Sequence, residues 1–105
     1  MAHIMPYAPS RLNVQVSDTL RMERSAFGAK VRAARAVLGV SQDELGEQVG
    51  LTQRSIHRIE QGLVEPRLRT MLTIEQFWSE RDIAFDDLPD GGFRLVVKGS
   101  LLRGQ

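Results

Sequence analysis

The chain has 105 residues, 42% of them hydrophobic, with 14 basic and 13 acidic side chains and no cysteine. That length fits one domain with a modest core, and the lack of cysteine excludes a disulfide framework and thiolate chemistry and suits a reducing cytoplasm. A formal net charge of +1 names no partner by itself, no apolar run approaches the ~20 residues of a membrane span, and no secretory leader is visible. The distribution of charge says more. Arg21–Arg35 holds Arg21, Arg24, Lys30, Arg32 and Arg35 against Glu23 alone, whereas Glu75–Asp90 holds six acids against Arg81. A molecule basic at one end would turn that end toward phosphate, and twelve of the fourteen bases are arginine, the side chain suited to forked contacts with phosphates and guanine.

In chain order, residues 1–17 read as a mobile tail with a short strand. Leu12, Val14 and Val16 alternate with Asn13, Gln15 and Ser17, the pattern of a half-buried strand. A minor-groove arm using Arg11, or plain disorder, are the alternatives. Ser17 or Asp18 can cap a helix running to Leu38, with Leu20, Phe27, Val31, Ala34 and Leu38 on one stripe. Gly28 costs that helix about 1 kcal/mol relative to alanine, enough to allow a break near Ser25, and Gly39 closes it.

From Val40 to Gly62 two short helices follow in succession. Ser41 with Glu44 makes a capping box, Leu45 and Val49 share a face, Gly50 can end the helix in the left-handed conformation, and Thr52 caps the next, which buries Ile56 and Ile59. Two helices joined by a three-residue turn are a helix-turn-helix. On the polar side of the second lie Gln53, Arg54, Ser55, His57 and Arg58, with no carboxylate before Glu60. Glutamine and arginine read adenine and guanine edges in the major groove, and hydroxyls bond phosphate; an ordinary solvated face would mix signs of charge.

Leu63–Arg67 is a loop stopped by Pro66. A further helix follows from Leu68 to Arg81, with Met71, Ile74 and Trp78 inward and Leu72 and Phe77 beside them. That stripe is wider than one bundle contact requires, so it makes either a thick core or a surface for a second copy. Ile83–Phe85 and Phe93–Val97 alternate as strands around a turn-rich connection. This hairpin, residues 83–98, is marginal alone and must rest on the helices, recruit Leu12–Val16, or pair with another subunit as a dimerisation element. Residues 99–105 should fray.

The segment Leu38-Gly39-Val40-Ser41-Gln42, with Glu44-Leu45, Val49-Gly50, Thr52-Gln53, Ser55-Ile56, Ile59-Glu60 and Gly62, resembles the Cro/XRE-type helix-turn-helix of phage repressors and short bacterial regulators. The resemblance spans roughly Phe27 to Trp78. It implies a mainly α fold, a lambda-repressor-like bundle of four to five helices over residues 18–82 with a small C-terminal β-hairpin, which binds a palindromic operator as a homodimer. It further implies base contacts from Gln53, Arg54 and Arg58, backbone contacts from Gln42, Ser55, Arg67 and Arg69, and a buried ion pair between Arg35 and Glu60; residue chemistry adds His57 on the base-reading face and Thr52 at the backbone. Gly46, where the family prefers alanine, and Glu75 and Phe77, where it prefers small residues, depart from the pattern.

Other chemistry finds little support. His57 and Glu60 are spaced to share a metal but lack a third ligand, adjacent Asp86 and Asp87 point apart in a strand, and Asp90-Gly91-Gly92 lacks the lysine and helix of a phosphate loop. No nucleophile–base–orienter set is present. The expectation is a non-enzymatic, cofactor-free transcription regulator of the bacterial cytoplasm and nucleoid, a repressor by preference. The rivals are an antitoxin that binds a toxin and represses its own operon, and an activator that contacts RNA polymerase.

Overall fold

The computed structural model describes residues 9–103, with side chains from Gln15 onward. Helices α1 (Pro9–Leu38), α2 (Gln42–Val49), α3 (Gln53–Glu60) and α4 (Leu68–Ser79) lead into strands β1 (Ile83–Asp87) and β2 (Phe93–Val97) and a last short helix α5 (Gly99–Arg103). The architecture is mostly helical with a small C-terminal antiparallel hairpin, the fold class that the sequence implies.

Several boundaries need correction. The strand expected at Leu12–Val16 is helical, and α1 begins at Pro9, before the expected caps Ser17 and Asp18. Leu12, Val16 and Leu20 also recur at four-residue spacing, so the same residues satisfy a helical stripe. The longer element prevails because each added turn costs no new nucleation, and Pro9 stands at the first helical position, where its missing N–H is not needed. Arg11 belongs to this helix rather than to an extended arm, while residues 1–8 of the expected tail lie outside the described residues. The helix does not break at Ser25. A Cβ on Gly28 would lie 2.5 Å from the carbonyl oxygen of Ile59 and 2.7 Å from that of Glu60, so the glycine that weakens α1 locally lets α3 cross at backbone contact. Of the end expected to fray, Gly99–Arg103 instead forms α5, where Ser100 donates from its hydroxyl to the Asp82 carboxylate, and residues 104–105 lie outside the described residues.

Phe27, Val31 and Ala34 of α1, Leu45 of α2, Ile56 and Ile59 of α3, Ile74, Phe77 and Trp78 of α4 and Ile83 of β1 form one buried cluster. Phe77, read as a neighbour of the inner stripe, is inside it. Helix α4 ends at Ser79, before the expected Arg81, whose guanidinium turns back 3.8 Å over the Phe77 ring and donates to the Phe77 carbonyl at 2.8 Å. The hairpin pairs Ile83 with Val97, Phe85 with Leu95 and Asp87 with Phe93. It stays two-stranded and rests on the helices through an aromatic chain: Trp78 meets Phe85 edge-on at 4.9 Å, and Phe85 meets Phe93 at 5.3 Å. Lys30 of α1 lies beside both phenylalanine rings and donates to Asp87 at 2.6 Å, pinning the hairpin to α1.

Candidate nucleic-acid interface

Two capped helices set the geometry. At the start of α2, the Ser41 hydroxyl accepts from the Glu44 N–H at 3.0 Å, while the Glu44 carboxylate accepts from the Ser41 N–H at 2.7 Å. The Ser41 backbone N–H, and after it the Ser41 side chain, hold the Glu44 carboxyl below its ordinary pKa, with burial opposing them. Gly50, at φ 76°, ends α2 in the left-handed region. A Cβ on Gly46 would lie 2.4 Å from the Leu51 carbonyl oxygen, so the turn folds back closely over the position where the family pattern carries alanine. Thr52 then caps α3, accepting from the Ser55 N–H at 3.0 Å and donating to the Ser55 hydroxyl at 2.9 Å.

With Ile56, Ile59 and Glu60 buried, the opposite side of α3 is forced outward. Arg54, His57 and Arg58, at i, i+3 and i+4, occupy one exposed face. None of the three has a hydrogen-bond or ion-pair partner among the described residues. Gln53 is exposed but committed on one side, its amide donating to Gln42 at 2.7 Å. Ser55 is half-buried and bonded to Thr52. Arg67 and Arg69, on the loop and the first turn of α4, are exposed and without a partner among the described residues.

Behind this face lies a brace. Glu60, 2% exposed, receives Arg35 in a forked pair, Nε to Oε2 at 2.6 Å and Nη2 to Oε1 at 3.0 Å. That bond is the main reason the Arg35 pKa is raised; burial opposes it, and the Coulombic attraction of Glu60 adds to it. Gln42 also donates to Glu60 at 2.9 Å, Arg32 donates to the Glu60 carbonyl at 2.8 Å, and Arg35 donates to the Val40 carbonyl at 3.0 Å. One buried carboxylate therefore ties α1, α2 and α3 together, and through Gln42 the tie reaches Gln53 at the surface.

Sequence reasoning missed the Gln42 and Arg32 bonds, whose partners lie 18 and 28 residues away with no periodicity to reveal them. The basic stretch from Arg21 to Arg35 also reads differently in three dimensions. Arg21 pairs with Asp18, Lys30 with Asp87 and Arg35 with Glu60, and Arg32 serves the Glu60 carbonyl. Lys30, Arg32 and Arg35 thus join α1 to the hairpin and to α3, Arg21 makes only an exposed pair within α1, and the free positive charge beside α3 comes from Arg54, Arg58, Arg67 and Arg69 instead. His57 is exposed while the Glu60 carboxylate is buried and taken up by Arg35 and Gln42, so their spacing offers no metal pair.

The fold and this braced, outward-facing helix define a helix-turn-helix unit. Residues 26–76 match the model of a helix-turn-helix domain family. The chain is 37% identical over 62 residues to the uncharacterized HTH-type transcriptional regulator YgzD of Bacillus subtilis, covering 94% of that protein and 50% of this one. It is 34% identical over 67 residues to an uncharacterized HTH-type transcriptional regulator of Sinorhizobium medicae, covering 62% of this chain and 48% of that protein; the chain thus spans about half the length of this rhizobial relative. The clp gene regulator ClgR of Corynebacterium glutamicum superposes with a TM-score of 0.51 at 27% identity, over 53% of this chain and 60% of that one. The chain belongs to the XRE-like family of helix-turn-helix regulators.

Proposed function

We propose that this protein is a sequence-specific DNA-binding regulator of transcription, acting as a homodimeric repressor on a palindromic operator. The observation that carries this reading is the outer face of α3, where Arg54, His57 and Arg58 stand exposed without an intramolecular partner on a helix that the Glu60 brace holds fixed. Such a face suits the major groove, where arginine forks onto guanine and the free oxygen of Gln53 can accept from an adenine amino group. Thr52, Ser55, Arg67, Arg69 and the exposed part of Gln42 flank it and serve the phosphates. Two copies are required because one recognition helix reads only a few base pairs, too little to select an operator from a genome.

Selection of bound sequences from a random duplex pool tests the reading. The expected product is an inverted repeat whose half-sites lie about one helical turn, ~34 Å, apart. Failure to enrich any sequence would remove the proposal. Binding should weaken steeply with salt, as expected when arginines displace counterions from phosphate.

A further inference from the structure

We infer that the cleft between α1, α4 and the hairpin turn is a binding site for a small aromatic amine, an organic cation carried on an apolar ring. The cleft measures about 460 Å³, within the range of small-molecule sites. Its apolar wall is built by Met22, Ala26 and Phe27 of α1, Met71 of α4 and Leu88 of the connection between the strands. Phe27 is part of the buried cluster and Met71 packs against it, so that wall stands on the body of the bundle. Gly91 and Gly92 border the cleft on the turn side without side chains, and the Met22 methyl lies 3.5 Å from the place a Cβ on Gly91 would take.

Charge decides the sign of the ligand. Three carboxylates, Glu23, Glu75 and Asp87, line the cleft with one base, Lys30. Lys30 already donates to Asp87 at 2.6 Å, and its side chain is 16% exposed, so its charge is spent within the fold. Glu23 on α1 and Glu75 on α4 have no hydrogen-bond or ion-pair partner among the described residues, and Glu75 is half-buried. A carboxylate partly withdrawn from water beside an apolar wall favours a cationic donor that completes its bonding. Among the described residues no group of three acidic or histidine side chains could hold a metal ion, so the cation is organic. The two thioethers, Met22 and Met71, fix its body, since methionine adapts its shape to what it meets and is favourable against aromatic ring edges.

Position separates this site from the reading face. No residue of α2 or α3 lines the cleft. Met22 and Glu23 precede residues 26–76, the span matched by the helix-turn-helix family, and Asp87 and Leu88 follow it. The cleft thus arises where the flanking segments of this chain fold back on the shared unit, and the inference stands independently of whether α3 reads bases.

The test uses the full chain free of DNA and three related probes: tryptamine, its uncharged counterpart tryptophol, and the anion indole-3-acetate. Melting temperature and the carbon-13 methyl resonances of methionine are the two readouts, and titration of the latter gives the affinity. Tryptamine at ten times its dissociation constant should raise the melting temperature by ~5 °C and shift the Met22 and Met71 methyls, while the other two probes do neither at the same concentration. Glu75→Gln should leave the melting temperature without ligand within about 4 °C of wild type and weaken tryptamine binding about tenfold; Glu23→Gln/Glu75→Gln should abolish it. A tryptophol response equal to that of tryptamine would overturn the proposal, because the carboxylates would then recognise nothing. So would a tryptamine response that survives in the double variant, or no response of the Met22 and Met71 methyls to tryptamine up to about 10 mM.

Discussion

Replacing Glu60 with alanine should damage the fold far more than the exposed reading edge. The carboxylate is buried and holds three donor groups, two from Arg35 and one from Gln42. Removing one partner of a buried ion pair costs roughly 3–5 kcal/mol, because the remaining charge is left uncompensated. The Arg35 side chain retains 22% exposure and can recover part of its hydration, which places the cost at the lower end, about 3 kcal/mol. For a domain of this size 1 kcal/mol shifts the melting temperature by ~4–8 °C, so Glu60→Ala should melt roughly 12–24 °C below wild type. Thermal unfolding followed by circular dichroism measures this directly. A companion variant, Arg35→Met with Glu60→Leu, should recover most of the loss, since a well-packed apolar pair often replaces a buried ion pair at little cost. A shift under about 4 °C for Glu60→Ala would refute the claim that this carboxylate braces α3.

Other consequences are equally open to measurement. Arg54→Ala and Arg58→Ala should each cost ~1–3 kcal/mol of binding and relax one operator position; equal losses on operator and random DNA would show that these side chains read no bases. Gly28→Ala should lower the melting temperature despite alanine's better helix propensity, because the added Cβ meets the Ile59 and Glu60 carbonyls and overpacking of this kind costs roughly 1–3 kcal/mol; a stabilised variant would contradict the close crossing of α1 and α3. The capping box gives a pH signature. Folding lowers the Glu44 pKa, so its contribution is fully present above the ordinary carboxyl value of 4.5 and is lost as pH falls through the depressed one. Glutamine can still accept the Ser41 N–H but does not titrate, so the stability gap between wild type and Glu44→Gln should narrow between pH 6 and pH 3, and a constant gap would count against the box.

The helix-turn-helix unit is legible in the sequence because its signals are local. Ser41 with Glu44, Gly50 and Thr52 punctuate two helices within a dozen residues, and each cap acts on its immediate neighbours. The hairpin was legible for the same reason, through alternation and a glycine-rich turn. Residues 9–17 were misread because Leu12, Val14 and Val16 satisfy a two-residue period, while Leu12, Val16 and Leu20 satisfy a helical one; only continuity with the rest of α1 decides between them. The employment of Arg32, Lys30 and Gln42 is illegible in principle, since a polar or charged side chain carries no mark of whether it will meet phosphate or an acceptor distant in the chain. Gly28 was read as a weakness because propensity is a property of one helix, whereas its value comes from a second helix crossing above it.

The hydrogen-bonded relay from Glu60 through Gln42 to Gln53 divides the reading edge into two kinds of position. Arg54, His57 and Arg58 hang free of it, so, under the proposed base-reading role, exchanging them should retarget the protein without disturbing the scaffold. Gln53 is wired to the interior, and a change there strands the Gln42 oxygen. Drift in specificity should therefore run through the three free positions first, with 53 and 42 altering together or not at all.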